Sequence, residues 1–477
     1  MVKSVIRKFK AASPVAKASM ALLFANLVLK GLSLISGPIF TRIMSEEQYG
    51  IVSTFASWES LLTVIITLNL SAGVFNNGML DFKEDRDIFQ FSLLAVSSCM
   101  AVIGFAIFII FRNPLLELFE LPVLSVYLMF LKFFFVPAYS YWSGRQRYEY
   151  KYKALSIITI VSAILSMAIG IVGVLHVDDS HAAITRIVAM EGVSITIGVV
   201  FFFILGFRAR FRFKKEYCKY ALKFNVPLVP HYLSMYVLSS SDRIMITKMI
   251  NTSATAIYSV AYTVASVITI VWQSIDASLS PWIYEKLDRG EKAPVRKLTT
   301  EIVLLFAGMC LGCTLLAPEI MTILAPASYS SGIYVIPPVS AGVFFTAMYS
   351  IYMRIELFYK QTGFATVATT LAALLNIVLN YIFIKYFGAV AAGYTTMTCY
   401  ALLALFHYVN VKRRGYSDII NNKMFFILSM AVIVGSIIIS LLYSYLPIRI
   451  SLIVIAVILA VWKRKTINDL LKIKKGQ

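Results

Sequence analysis

The sequence predicts an all-α polytopic membrane protein with about fourteen transmembrane helices, and three observations lead to this prediction. Of the 477 residues, 59% are hydrophobic and only 14% are charged, whereas a soluble domain carries about 25% charged residues. Apolar runs of roughly 17 to 25 residues, the length of a membrane-spanning helix, recur along the whole chain. Lysine and arginine are concentrated in every second loop.

The apolar runs define the elements in order, and no polar stretch between them is long enough for a separate water-facing domain. The fourteen predicted helices cover residues 18–40, 49–73, 88–111, 121–143, 154–175, 182–206, 226–250, 254–284, 299–317, 333–353, 362–384, 387–410, 424–446 and 448–462. The last two are separated only by a short turn at Pro447. A merged final pair would leave thirteen helices and move the C-terminus to the other side of the membrane.

The loops that alternate with these helices differ strongly in charge. If the N-terminus is inside, the inner segments carry 35 of the 44 Lys and Arg residues, and the outer loops carry six. Positively charged loops stay in the cytoplasm. We therefore expect both termini to be cytoplasmic, and the net charge of +20 marks one face of a membrane rather than a nucleic-acid-binding surface.

An internal repeat divides the chain into lobes. An offset of 206 residues aligns helices 1 and 2 with helices 7 and 8, so that Ser45 matches Asn251 and Ser53 matches Ser259. Six helices separate the copies, and an even number predicts parallel repeats related by an axis along the membrane normal. The predicted parts are an N-terminal six-helix lobe (1–212), a C-terminal six-helix lobe (213–415), and two extra helices with a basic cytoplasmic tail (416–477).

Charged residues within the predicted helices are the candidate site. A charge near the bilayer centre costs about 2.5–3.5 kcal/mol, so each requires an explanation. Lys30, Lys132 and Arg243 would line a cationic cavity for an anionic head group, because a guanidinium fork and a flexible ammonium both suit phosphate oxygens. The alternative is that the charges pair among themselves, for example Lys30 with Glu59.

Two further features concern ion coupling and movement. Asp242 and Glu59 are the candidate coupling carboxylates, with H⁺ or Na⁺ as the ion, because a carboxylate in a low-dielectric cavity can exchange a proton or hold a cation. Pro227 and Pro230 interrupt the hydrogen bonding of helix 7 near its inner end. They predict a hinge, or alternatively the end of an interfacial segment over residues 217–223.

The sequence contains no catalytic pattern: no Gly-rich phosphate loop, no H-E-x-x-H, and no nucleophile with a plausible base. His176, Asp178, Asp179 and His181 lie in a short solvated outer loop, for which we predict no metal site. The sequence therefore predicts neither an enzyme nor a bound cofactor.

Four segments resemble a known family. Residues 37–50 close helix 1 and open helix 2, Pro227 to His231 begin helix 7, and Asp242 to Ile246 with Ile257 to Tyr262 surround helices 7 and 8. They resemble Wzx-type polysaccharide flippases of O-antigen, capsule or exopolysaccharide repeat units, within the multidrug/oligosaccharidyl-lipid/polysaccharide exporter superfamily. The 6 + 6 + 2 helix layout extends the resemblance over nearly the whole chain. Ala256, where this family commonly has glycine, is a departure.

The resemblance implies a bacterial inner-membrane protein that moves an undecaprenyl-diphosphate-linked oligosaccharide from the cytoplasmic to the outer leaflet by alternating access. It implies, as partners, this anionic lipid-linked oligosaccharide, membrane lipids, and the polymerase and glycosyltransferases of the same pathway. Asp242 and Arg243 are supported by the matching motif, whereas Lys30 and Lys132 rest on burial alone.

Three other functions stay open at this point. A drug/cation antiporter of the same superfamily would be expected to have a more acidic or aromatic cavity. A membrane-embedded polymerase or ligase would usually need a large outer loop or paired acidic residues. A scaffold subunit without transport activity is the third alternative.

Overall fold

The protein is described here by a computed structural model that covers residues 14–462. Within this range the structure consists of helices and short connections without a β-strand, which confirms the all-α class. The chain divides into two compact units, Met1–Tyr236 and Val237–Gln477. The basic segments 1–13 and 463–477 lie outside the described residues, and the three-part division at 212 and 415 stays a prediction.

The first unit contains nine helices and the first part of a tenth. They are α1 (Pro14–Ile43), α2 (Glu46–Thr67), α3 (Gly73–Asp81), α4 (Arg86–Ile110), α5 (Arg112–Phe119), α6 (Val123–Tyr148), α7 (Tyr152–Leu175), α8 (Asp179–Arg208), α9 (Lys215–Asn225) and α10 (Val229–Met249). One turn of 3-10 helix, Val226–Leu228, joins α9 to α10.

The second unit contains the rest of α10 and eight further helices. They are α11 (Thr252–Asp288), α12 (Lys292–Leu315), α13 (Ala317–Leu324), α14 (Ile336–Phe358), α15 (Thr362–Phe387), α16 (Ala389–Arg413), α17 (Asn422–Leu441) and α18 (Leu446–Trp462). Two 3-10 segments, Ala327–Tyr334 and Ser417–Ile419, complete the described chain.

Each of the fourteen predicted membrane segments corresponds to a helix, and twelve of them are long and apolar enough to cross a bilayer. The two others are α10, which carries the polar run Ser239 to Arg243 in its middle, and α18, which has only 17 residues. The protein is thus a multi-pass membrane protein, and the count of fourteen crossings stays a prediction.

The second predicted helix, 49–73, extends too far. The helix ends at Thr67 because Leu68 and Asn69 adopt left-handed φ values of 51° and 48°, which stop a right-handed helix. Hydropathy continued across this break and concealed it. The ninth predicted helix, 299–317, ends at Leu315, and Pro318 lies in the first turn of α13, where its missing N–H costs no hydrogen bond.

The two copies of the internal repeat begin in the same way. Ser45 caps α2 by accepting a hydrogen bond from the Gln48 amide at 3.3 Å, and Asn251 caps α11 by accepting one from the Ala254 amide at 2.8 Å. Both side chains satisfy an amide that the first helical turn leaves free. These two caps are 206 residues apart, which is the offset predicted for the repeat.

Helix α6 and helix α8 pack against each other at the centre of the first unit, with α4 on the outer side of α6 and α7 on α8. At Gly198 the two backbones approach so closely that an added Cβ would lie 2.9 Å from the carbonyl carbon of Phe135. This close approach fixes the distance between the side chains that α6 and α8 direct toward each other.

Helix α14 is the central element of the second unit. It packs against α16, α12, α11 and α17, and nearly all its residues are buried. Helix α15 packs on the far side of α16. Polar groups on α14, α15 and α16 are thereby held inside the unit, where each must find a protein partner.

Candidate functional site

The first unit has a charged cluster in its membrane-spanning region. Lys132 on α6 contacts Glu59 on α2 at 2.6 Å and Glu191 on α8 at 2.9 Å. The side chain of Glu191 is 1% exposed, whereas those of Lys132 and Glu59 are 19% and 18% exposed. One ammonium group therefore lies between two carboxylates, and the cluster has a formal charge of −1 when all three groups are ionised.

A small polar cavity of about 120 Å³ adjoins this cluster. Its lining residues are Glu59, Thr63, Thr67, Asn69, Ser71, Lys132, Phe133, Val136, Pro137, Ser140 and Tyr141. The early end of α2 places Asn69 and Ser71 in a loop at this cavity instead of in a helix. The volume is enough for several water molecules, which explains how the exposed sides of Lys132 and Glu59 remain solvated.

The structure brings together some predicted site residues of the first unit and separates others. Lys132 and Glu59 share the cavity, and Glu191, which the sequence places deep in helix 6, completes the cluster. Lys30 is exposed on α1, and Glu59 pairs with Lys132 rather than with Lys30. The idea of charge pairing was thus right for Glu59, but the proposed partner was wrong.

Asp242 in the second unit is fully buried in a network of neutral donors. It accepts hydrogen bonds from the Tyr258 hydroxyl at 2.6 Å, the Asn380 amide at 2.7 Å and the Thr396 hydroxyl at 2.9 Å. These donors come from α11, α15 and α16. A carboxylate with several such bonds is stabilised without a partner of opposite charge.

Asn376 and Thr395 extend this network. The Asn376 amide donates to Thr396 at 3.1 Å, and the Thr395 hydroxyl donates to Asn380. Asn376 and Asn380 are four residues apart and therefore share one face of α15. This i, i+4 asparagine pair lies inside an apolar run and is visible in the sequence. Its connection with Asp242 was not predicted.

Arg243, the next residue in the chain after Asp242, is hydrogen-bonded to neutral groups. Its Nε donates to the Ser259 hydroxyl at 3.2 Å, one terminal nitrogen donates to the Ser239 carbonyl at 3.0 Å, and its guanidinium lies 4.4 Å from the centre of the Tyr262 ring. These partners are neutral, so they orient the guanidinium without cancelling its charge. Ser259 also occupies the repeat position of Ser53.

The two prolines lie at a change of helix type. Pro227 is in the 3-10 turn that follows α9, and Pro230 is in the first turn of α10, where proline is tolerated. Helix α9 covers the predicted interfacial segment, so the prolines occupy both the end of that segment and the entry to the next helix. Their role as a hinge stays a prediction.

In the loop between α7 and α8, which was predicted to be an outer loop, His176 and Asp179 contact different groups. His176 contacts the Val172 carbonyl at 2.8 Å, and Asp179 accepts a hydrogen bond from the Ser45 amide at 2.9 Å. Within residues 14–462 no group of three or more His, Cys, Asp or Glu side chains is arranged to hold a metal ion.

A second ion pair of the membrane region was missed. Arg354 on α14 donates to both carboxylate oxygens of Asp276 on α11, at 2.5 and 3.2 Å. Arg354 lies one residue beyond the predicted end of helix 10 at residue 353, so its charge was assigned to an inner loop. The C-terminal end of α14, five residues longer than predicted, also brings Glu356 inside the unit.

Comparisons with solved structures show which known proteins have a similar fold. The structure is similar to the lipid II flippase MurJ in an inward closed conformation, with 15% sequence identity, a TM-score of 0.70, and coverage of 95% of this chain and 100% of that one. It is similar to an inward-facing multidrug resistance MATE family transporter, at 13% identity, a TM-score of 0.58, and 83% and 98% coverage.

A MOP superfamily transporter from Pyrococcus furiosus matches at 13% identity with a TM-score of 0.51, over 84% of this chain and 95% of that one. No curated protein sequence matches this chain. The class defined by the helices is therefore a polytopic membrane protein with the fold of the MOP superfamily.

The family follows from the sequence. A family model described as polysaccharide biosynthesis protein matches residues 15–286, more than half of the chain. The chain belongs to the polysaccharide biosynthesis protein family. This agrees with the resemblance predicted from the segments around α1, α2, α10 and α11.

Proposed function

We propose that this protein is a flippase that moves an undecaprenyl-diphosphate-linked oligosaccharide from the cytoplasmic to the outer leaflet by alternating access. The observation that carries the proposal is membership of a polysaccharide biosynthesis family combined with a fold that the lipid II flippase MurJ shares over 95% of this chain. The function is transport and not catalysis. The protein would lie in a bacterial inner membrane with both termini in the cytoplasm, an orientation that the distribution of basic residues favours.

The chemistry of the substrate requires polar groups within the membrane. A diphosphate and a glycan cannot cross hydrocarbon unaided, because each desolvated polar group costs several kcal/mol and each charge more. Arg243 supports the proposal most directly, since its hydrogen-bond partners are neutral and leave its positive charge available for a phosphate. Lys132 is less available, because two carboxylates already contact it.

Lys30 stays in the proposal as a third cation, supported by its exposure on α1. The ammonium group of an exposed lysine keeps its freedom to reach an anionic partner. Membrane lipids, and the polymerase and glycosyltransferases of the pathway, are the other partners that this function would involve.

We assign ion coupling to Asp242 before Glu59. Asp242 is buried among neutral donors, and within residues 14–462 no ammonium or guanidinium is hydrogen-bonded to it, so H⁺ or Na⁺ can add a positive charge there. Glu59 already has Lys132 at 2.6 Å. One elementary charge that moves across 100 mV contributes about 2.3 kcal/mol, which is enough to bias a transport cycle.

The location of the lipid-linked repeat unit in a gene-deletion strain tests the function. Accumulation on the cytoplasmic leaflet supports a flippase. Accumulation of unpolymerised units on the outer leaflet would assign the protein to polymerisation or ligation. Normal repeat-unit export combined with loss of organic-cation efflux would assign it to the drug/cation antiporters.

Complementation of that strain tests the site. We expect Arg243→Ala to abolish surface glycan while its membrane level stays normal, and Arg289→Ala, which removes an exposed guanidinium at the end of α11, to complement fully. Asp242→Asn should remove the ion dependence of transport, and Asp288→Asn serves as its control. Normal surface glycan in Arg243→Ala would remove this residue from the substrate site.

A further inference from the structure

The second unit contains another buried carboxylate that the proposed transport function does not use. Glu356 lies near the C-terminal end of α14, is 1% exposed, and contacts His407 on α16, which is fully buried. One carboxylate oxygen is 2.7 Å from His407 Nδ1, and the other accepts a hydrogen bond from the Asn410 amide at 2.8 Å. Both oxygens of Glu356 therefore have a donor.

The second ring nitrogen of His407 differs from the first. Nε2 is buried and has no hydrogen-bond partner among residues 14–462. The flat sides of the ring are covered by aromatic groups: Tyr349 stacks on it with centres 5.9 Å apart, and Phe364 meets it edge-on at 5.6 Å. The imidazole is thus held in one orientation, with one nitrogen bonded to a carboxylate and the other left open.

The charge of the pair depends on one proton. With Glu356 ionised and His407 neutral, Nδ1–H donates to the carboxylate and the pair has a net charge of −1 inside the unit. A proton that binds at Nε2 converts the pair into a neutral imidazolium–carboxylate pair, and a buried neutral pair costs less free energy than a buried net charge. The proton comes from water; one N–H bond forms and no other bond breaks within the protein.

Among residues 14–462, His407 has its ion pair with Glu356, and nearby charged groups of the adjoining helices have partners of their own. On α11, Asp276 is already bound by Arg354 of α14, and on α12, Lys292 is bound to Asp418. The only charged residue of α15 is Lys385, near its opposite end, and the only one of α17 is Lys423, which is exposed. On α16 itself, Lys412 lies over the Tyr408 ring, at 5.8 Å. Glu356 is thus the charged group that contacts the imidazole.

We propose that Glu356 and His407 form a proton-binding site of the second unit, separate from the Asp242 network. Thr396 and His407 belong to the same helix, and the rise of an α-helix places them about 16 Å apart along α16. The two sites therefore lie at different depths on one element. The use of this proton in coupling rests on the proposed transport function, whereas the binding site itself does not.

Nitrogen NMR of the full chain in lipid nanodiscs, labelled with ¹⁵N-histidine, tests the proposal. The chain has four histidines, and His407→Asn identifies the signals of this one. On acidification, within the range where circular dichroism shows a folded protein, we expect the His407 signals to change from the neutral to the imidazolium pattern. If the His407 signals of the unmodified protein keep the neutral pattern throughout that range, the proposal is overturned without recourse to a variant.

A variant tests the role of the carboxylate. Glu356→Gln can still accept the Nδ1–H bond but supplies no negative charge, so the conversion of His407 to imidazolium should be lost. The control Glu285→Gln removes an exposed carboxylate from α11 and should leave the conversion unchanged. Unchanged conversion in Glu356→Gln would also overturn the proposal. Protonation of His407 in a protein that fails the flippase test would refute the proposed function and leave this site intact.

Discussion

The two units stabilise a buried carboxylate in opposite ways. In the first, Glu191 is 1% exposed and is held by the ammonium group of Lys132. In the second, Asp242 is fully buried and is held by hydroxyl and amide donors. The ammonium of Lys132 thus occupies the kind of position that an external cation would occupy beside Asp242. We propose that related helical scaffolds can either contain their own cation, as beside Glu191, or take one up, as beside Asp242.

The repeat explains why the difference is possible. The offset of 206 residues places Glu59 at the position of Ala265, and Asp242 at the position of Ser36. The helix caps are equivalent in the two copies, and Arg42 matches Lys248, but the carboxylates Glu59 and Asp242 have no charged counterpart in the other copy. The membrane-embedded carboxylates therefore distinguish the two copies.

The largest expected effect is that of Lys132→Ala, which leaves two carboxylates without their cation. Loss of one partner of a buried pair destabilises by about 3–5 kcal/mol, because the remaining charge stays desolvated. Unfolding of the purified protein in detergent measures this loss. Lys132→Arg should retain most of the stability, and adding Glu191→Gln to Lys132→Ala should restore part of it. Equal stability of Lys132→Ala and the unmodified protein would contradict the comparison.

Asp242→Ala is the corresponding change in the second unit. It leaves the donors Tyr258, Asn380 and Thr396 without their shared acceptor, and unsatisfied buried groups of this kind cost about 1–3 kcal/mol each. We expect a total loss of about 3 kcal/mol in the same unfolding assay, since the donors can partly rebond to one another. Asp242→Asn keeps one acceptor and should lose less. Rescue of Asp242→Ala by removal of the Arg243 charge would show that the network is ionic after all.

The caps should give similar, smaller effects in the two units. Ser45→Ala and Asn251→Ala each remove the acceptor of one helix N-terminal amide, which costs about 1 kcal/mol. The double variant should lose the sum, because distant sites are additive. Thermal unfolding measures the difference, with Ser274→Ala, at an exposed position inside α11, as the control. A cap effect confined to one unit would contradict the equivalence of the two repeat starts.

The smallest effects concern two Lys–Asp pairs outside the membrane. Hydrogen bonding to Lys214 lowers the pKa of Asp85 from its usual 3.8, and hydrogen bonding to Lys292 lowers the pKa of Asp418 in the same way. A carboxyl with a lowered pKa in the folded state stabilises above its usual pKa, and this stabilisation is lost as the pH falls through the folded value.

Amide hydrogen exchange, corrected for the intrinsic effect of pH, should therefore increase in α9 and in residues 417–419 when the pH falls below about 3.8. Asp85→Asn and Asp418→Asn should remove this pH dependence locally. Salt should weaken the second pair more, since Asp85 also accepts a hydrogen bond from the neutral Tyr217 hydroxyl at 2.9 Å. Equal sensitivity to salt would indicate that this hydroxyl contributes nothing.

Hydropathy predicted the existence of the helices well, because a bilayer requires long apolar segments with internally satisfied backbones. It predicted their ends poorly where polar or left-handed residues follow an apolar run without a change in mean hydropathy. The break at Leu68 and the extension of α14 to Phe358 are both of this kind. The break at Leu68 places Asn69 and Ser71 in the lining of the cavity. The extension of α14 includes Arg354 and Glu356, which the predicted helix had left outside.

The sequence identifies charged residues of the membrane segments but not their pairings, and the roles of these residues in binding and coupling stay predictions. Burial cost alone identifies Lys132, Glu59 and Asp242, because a charge in an apolar run always needs a partner. It does not say which partner, since helices distant in sequence can be neighbours. Glu191 and Lys132 are 59 positions apart, and Asp242 and Thr396 are 154 positions apart. His407 was missed because one imidazole adds little to the polarity of a helix.

The contact at Gly198 has a mechanical consequence. Because the backbone of α8 touches that of α6 there, with no side chain between them, neither helix can roll or slide against the other without a collision. We therefore expect α6 and α8 to move as one rigid body, with Lys132 and Glu191 at a fixed distance from each other. The movements that the proposed transport cycle requires in the first unit are then expected to take place away from the α6–α8 contact.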